Sequence, residues 1–83
     1  MMFKARVEVT LKKGHIDPEG ETTARLLKEL GYDVKSVNVS KVFNIILKAD
    51  SNEEAEAQVE EMCRRLLANP TKDNYIYSVE EVE

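Results

Sequence analysis

Residues 42–47 read Val-Phe-Asn-Ile-Ile-Leu, a run whose residue types suit a β-strand and whose two faces are both largely apolar. Helices lying on a sheet cover one face and leave the other to water, so a strand of this kind needs a second sheet for its other side. The face carried by Val42, Asn44 and Ile46 is the one left over, and a second copy of the chain is the natural cover. Size presses the same way. The 83 residues make one domain, spanning 1–83, and a domain so small buries only about 60 % of the surface its unfolded chain exposes. With a single cysteine it has no internal disulfide to staple it, which leaves self-association as the means to bury more apolar surface.

The rest of the chain punctuates clearly. Phe3, Ala5, Val7, Val9 and Leu11 alternate with Lys4, Arg6, Glu8 and Thr10, the signature of a half-buried strand. After a polar loop, Asp17 is placed to cap a helix whose first position is Pro18, where a missing N–H costs nothing. Thr23, Leu26, Leu27 and Leu30 follow at helical spacing, and Gly31 supplies the left-handed residue that ends the helix. Ser51 and Glu54 form a capping box ahead of Ala55, Val59, Met62, Cys63, Leu66 and Leu67, and Asn69-Pro70 stops this second helix. Tyr75 to Val79 reads as a final strand.

Between the helices, Val34 to Lys48 is rich in β-branched residues and holds no Gly or Asn-Gly turn. As one straight strand it would reach about 50 Å at roughly 3.3 Å per residue, whereas a compact domain of this length is about 30 Å across. Two solutions stay open: a tight hairpin near Ser40-Lys41, or one bent strand that reaches past its own domain into a neighbour. The order of elements gives an α+β two-layer sandwich related to the ferredoxin-like plan, β-α-β(β)-α-β, with an antiparallel sheet, two helices on one face and a sheet-mediated dimer.

Composition narrows the partners. Charged residues make up 34 % and hydrophobic ones 42 %, as in a folded domain, and the net charge of −4 argues against nucleic acid and against anionic membrane surfaces. Met1 leads straight into a strand with no basic-then-apolar leader, and the lone thiol fits a reducing compartment, so a cytoplasmic location is expected.

No catalytic, cofactor-binding or metal-binding residue is assigned. A triad would have to be built on His15, the only histidine, and a lone loop histidine beside Gly14 is ordinarily just solvated. Lys12-Lys13-Gly14 lacks the glycine-rich run into Lys-Ser/Thr that cradles phosphate. The carboxylates Glu53, Glu54, Glu56, Glu60 and Glu61 come without an Asp-rich loop and read as a solvated helix face. Tyr75 and Tyr77 share one sheet face and suit an interface.

Taken together, Asp17-Pro18-Glu19-Gly20 opening one helix, Met62-Cys63 and Leu66-Leu67-Ala68-Asn69-Pro70 closing the other, and Tyr75-x-Tyr77 followed by Val79-Glu80-Glu81-Val82 resemble the PurS family over essentially the whole chain. Ser40-Lys41 departs from the Gly-Lys often found there. The resemblance implies a small subunit of phosphoribosylformylglycinamidine synthase without an active site of its own. A large synthetase subunit and a glutaminase subunit would be its partners, with ATP and Mg held by the synthetase. It also implies a role in passing ammonia from glutamine to the ATP-activated amide of formylglycinamide ribonucleotide in purine biosynthesis.

On that reading, contacts to the larger subunits fall on Lys12, Lys13, His15, Asp17, Asn69, Pro70 and Tyr75, and contacts between copies, in a dimer or a tetramer, on Val42, Asn44 and Ile46. The rival is a ferredoxin-like regulatory module that binds a small ligand such as an amino acid at its dimer interface, near the loop holding Gly14 and Gly20.

Overall fold

The alternation at the start of the chain becomes the middle of a sheet. The computed structural model describes residues 1–82. The elements are β1 (Met2–Leu11), α1 (Pro18–Glu29), β2 (Lys41–Lys48), α2 (Asn52–Met62) and β3 (Asp73–Val82), and α2 runs on into a π-helical turn, Cys63–Leu67. The sheet order is β2-β1-β3, with both pairings antiparallel. This is the expected α+β design, an antiparallel sheet with two helices.

Register explains the core. Phe3 lies opposite Leu47, Ala5 opposite Ile45 and Val7 opposite Phe43 on one side, while Ala5 meets Val79, Val7 meets Tyr77 and Val9 meets Tyr75 on the other. A strand's side chains alternate between faces, so these pairs build apolar rows on the same face. Helix α2 lays Ala55 and Val59, followed by Cys63, over those rows, and Phe3, Ala5, Val7, Ala55, Val59 and Cys63 are all 0 % exposed. Cys63 is a free, buried thiol, as its place on the apolar stripe predicts.

Three local features differ from the sequence expectations. First, the apolar stripe of α1 does not join this core: only Gly20 and Ala24 are buried, Leu26 and Leu30 are exposed, and no α1 residue belongs to the core cluster. What α1 meets instead is the segment before β2. The Tyr32 N–H donates to the Leu27 carbonyl, and the Val37 carbonyl lies so close to Gly20 that a Cβ there would clash. Second, Val34 to Lys48 is neither a hairpin at Ser40-Lys41 nor one long strand: β2 starts at Lys41, and the described residues 31–40 hold no strand. The molecule is drawn out in consequence. Its radius of gyration is 16.4 Å and its extents are 51 × 29 × 14 Å, against a radius of about 12 Å for a compact chain of this length.

Third, the second helix does not stay α-helical to its stop. The Ala68 N–H donates to the Cys63 carbonyl, five residues back, which widens the last turn and takes Leu66 off the buried stripe, leaving it 83 % exposed. The helix starts follow the sequence closely. Ser51 accepts from the Glu54 N–H at 3.1 Å, and Gly31 has φ of 101°, the left-handed value that closes α1.

Burial sets the expected cost of substitutions. Phe3→Ala empties the centre of the core and is expected to lower unfolding stability by about 3–5 kcal/mol, a large share of what a small domain has. Leu66→Ala removes only exposed surface and is expected to change it by less than about 0.5 kcal/mol. Urea unfolding of the two variants checks the contrast.

Candidate functional site

The residues singled out in the sequence gather in two places and share a third surface. At one end of the sheet, β1 runs out beside the turn that follows α2. There the Lys12 ammonium donates to the Pro70 carbonyl at 2.9 Å, and the Lys12 N–H donates to the Lys72 carbonyl at 2.6 Å. Asn69 organises the turn: its Oδ1 accepts from the N–H groups of Thr71 and Lys72 at 2.8 and 3.2 Å, and its own N–H donates to Asp73 Oδ2 at 2.8 Å. An Asn that bonds backbone two and three residues on is a self-made turn, and this is why the helix stops there. Lys12, Asn69 and Pro70 thus form one exposed corner. Beside it, Lys12, Arg64, Pro70, Asn74 and Tyr75 border a cleft of about 520 Å³.

Tyr75 is tied inward. Its ring stacks with that of Tyr77, 6.5 Å between centroids at an interplanar angle of 14°. The Tyr75 hydroxyl donates to Glu60 Oε2, and the Tyr77 hydroxyl donates to Glu60 Oε1 at 3.0 Å. The sequence reading missed Glu60, taking it as one more carboxylate on a wet helix face. It follows Val59 at the border of the buried stripe, and that position was the available signal. The tyrosine hydroxyls, Tyr75 foremost, hold the Glu60 carboxyl below the ordinary glutamate range, helped by Arg64 with Nε at 3.5 Å. In return, burial first and the Glu60 bond second push Tyr77 up to about 12. Burial likewise raises the Cys63 thiol, which leaves it a poor nucleophile.

Lys13 and His15 continue from Lys12, the His15 N–H donating to the Lys12 carbonyl at 3.3 Å, and Asp17 borders a cleft together with Lys72 and Asp73 of the turn. Asp17 Oδ1 accepts the Gly20 N–H at 2.9 Å and Oδ2 accepts the Val39 N–H at 2.8 Å, so both oxygens serve the chain itself. Those bonds, Val39 first, hold its carboxyl below the usual range. Lys13 and His15 are exposed on the loop. His15 borders a broad hollow of about 860 Å³ between α1 and residues 35–38, together with Asp17, Arg25, Lys28 and Lys35. Charges of both signs line it, and Arg25 is engaged by Glu29 at 3.4 Å.

The third surface is the sheet face that α2 leaves open. Opposite the core rows lie Val42, Asn44 and Ile46 of β2, next to Glu8, Arg6 and Lys4 of β1, with Ile76, Ser78 and Glu80 of β3 beyond. Ile46 is 60 % and Ile76 67 % exposed, so the apolar surplus on the second face is real in the folded chain. Among the described residues, no group of three or more His, Cys, Asp and Glu side chains is placed to hold a metal ion.

Side chains at these places hold turns and elements of the chain itself and leave flat or cornered surfaces free, which is the build of an assembly module. The comparisons say which one. The family described as PurS, phosphoribosylformylglycinamidine (FGAM) synthase, matches residues 4–81, and the chain belongs to that family.

The phosphoribosylformylglycinamidine synthase subunit PurS of Methanocaldococcus jannaschii is 45 % identical over 83 residues, which cover 99 % of this chain and 100 % of the relative. That of Archaeoglobus fulgidus is 50 % identical over 72 residues, covering 86 % and 90 %. Among solved structures, the M. jannaschii PurS crystal structure superposes with a TM-score of 0.83 at 43 % identity, covering 98 % of this chain and 99 % of that one. A chain of the PurLQS structure from Thermotoga maritima gives 0.85 at 31 % identity, covering 96 % and 99 %.

The Glu60 cluster makes stability depend on pH at both ends. Glu60 ionises more readily in the fold than its ordinary 4.5, so its contribution is present above that value and is lost as pH falls through the lower folded one. Tyr77 keeps its proton to about 12 where the unfolded chain loses it near 10, so stability is full below 10 and declines as pH rises from 10 to 12. Glu60→Gln is expected to flatten the acid decline and to lower the Tyr77 midpoint without returning it to 10, because burial is the larger cause. Urea midpoints against pH and ultraviolet tyrosinate titration read the two effects.

Proposed function

We infer that this chain is the small, non-catalytic subunit of phosphoribosylformylglycinamidine synthase and serves purine biosynthesis as an obligatory part of that amidoligase, EC 6.3.5.3. The observation that carries the inference is end-to-end correspondence. The sequence aligns with the whole length of the M. jannaschii PurS subunit, and the fold superposes on a chain of a PurLQS structure over 96 % of this chain. A resemblance limited to the fold would leave function open, since folds host many activities. Here sequence identity of 45 % accompanies it.

Within the assembly, the chain acts as a spacer that bridges the synthetase and glutaminase subunits and supports ammonia transfer between them. Ammonia in neutral water is mostly protonated and no longer nucleophilic, so its path must exclude water. ATP and Mg act in the synthetase subunit, where the amide of formylglycinamide ribonucleotide is activated. This chain's contribution is to fix the two active sites relative to each other. The exposed corner of Lys12, Asn69 and Pro70, with Tyr75 beside it and Lys13 and His15 on the neighbouring loop, offers the contacts.

The chain works as a dimer, in the cytoplasm. Two features support pairing of copies: the exposed apolar residues on the second sheet face, and the projecting arm of α1 and residues 32–40 with Leu26, Leu30 and Tyr32 exposed. Among the described residues, no helix is long and apolar enough to cross a membrane.

Reconstitution tests the role. With synthetase and glutaminase subunits present, omitting this chain is expected to abolish glutamine-supported turnover while ammonia-supported turnover survives; equal loss of both would reject ammonia delivery. Pairing is tested separately by light scattering at micromolar concentration. The parent is expected at twice the chain mass, and Ile46→Lys, which puts a charge into the covered face, is expected to shift it toward the single-chain mass.

A further inference from the structure

β2 is an edge strand, and the segment that precedes it in sequence carries Val34, Val37 and Val39 outside any regular element. Folding that segment back onto β2 would add a fourth strand and draw α1 in over the core. A two-residue turn at Ser40-Lys41 would place Val39 opposite Val42, and this closing pair would exchange two bonds, from the Val42 N–H to the Val39 carbonyl across the turn and from the Val39 N–H to the Val42 carbonyl.

That donor is already engaged. The Val39 N–H donates to Asp17 Oδ2 at 2.8 Å, while Oδ1 of the same carboxylate accepts the Gly20 N–H at 2.9 Å. One side chain therefore caps α1 and withholds one of the two bonds of the closing pair, without which the turn is not followed by a ladder. Gly20 acts with it: lacking a Cβ, it lets the Val37 carbonyl settle against the first turn of the helix. Both contacts lay residues 37–39 along α1 and away from the open edge of β2. The turn sequence adds to this, because Ser and Lys are poorly suited to the positive φ that two-residue hairpin turns require.

We propose that Asp17, with Gly20, is a clasp that keeps the chain open: it blocks closure of residues 33–40 onto β2 and so holds the arm of α1 and residues 32–40 out for a second copy. Only the last clause rests on the dimer reading above. The clasp itself is a choice between two states of a single chain, extended or closed.

The test uses the full chain with an enabling turn, Ser40→Asn with Lys41→Gly, alone and combined with Asp17→Ser. Serine still caps the helix but has a single short acceptor and cannot reach both N–H groups. Light scattering gives mass and small-angle X-ray scattering gives the radius of gyration. The turn variant alone is expected to keep the mass and shape of the parent. Adding Asp17→Ser is expected to give a single-chain mass and a radius near 12 Å, against 16.4 Å for the open chain.

Asp17→Asn in the same background, which keeps a cap but offers one acceptor oxygen, is expected to act in the same direction. It carries the test if circular dichroism shows that the serine variant has lost α1. Closure by the turn variant alone would overturn the proposal, and so would a combined variant with the parent's mass and radius. If the parent is itself a single extended chain, the dimer reading fails, and compaction from 16.4 Å still reads the clasp.

Discussion

Everything else in this molecule is arranged around the contact between the inward face of β1 and the stripe of α2. Phe3, Ala5 and Val7 meet Ala55, Val59 and Cys63 with no exposed surface between them. Because β1 is the central strand, its neighbours on both sides are placed by the same alternation, and a shift of one residue would turn every core side chain to the solvent face. The turn after α2 is then fixed against the end of β1 by Lys12 and Asn69, and β3 is fixed against α2 by Glu60. The corner of Lys12, Asn69 and Pro70 is therefore no free loop. It is held to the core from both sides.

A second body hangs on that frame. α1 and the residues before β2 pack on each other through Gly20 and Asp17 and add little to the core. The core frame presents a corner and a flat sheet face, while the arm leaves Leu26, Leu30 and Tyr32 exposed.

The sequence made β1, β3, both helix starts and the order of elements legible, because alternation, caps and stop signals are local. Its β-branched run from Val34 sets the middle strand too far back, where the structure begins β2 at Lys41. Ser51, Asp17, Gly31 and Asn69 each do what their chemistry predicts within a few residues of themselves. The misses are tertiary. Leu26 and Leu30 carry helical spacing whether their partner is the same chain or another, so periodicity could not show that α1 leaves the core uncovered. Glu60 is set apart from Glu56 and Glu61 by its place at the border of the buried stripe, but its partners, two tyrosine hydroxyls fifteen and seventeen residues away, are not local. The π-helical turn at Cys63–Leu67 has no local signature either, and it alone decides that Leu66 points outward.

A molecule whose shortest extent is 14 Å has an interior only one layer deep, between β1 and α2. Its heat-capacity step on melting, which follows the greasy area released to water, is correspondingly modest for the isolated chain. Most of the remaining area is available only through neighbours, so the melting temperature becomes a property of how much protein is present and what company it keeps. A subunit made this way is thermally sturdy in its complex and fragile when orphaned, which ties its lifetime to that of the enzyme it serves.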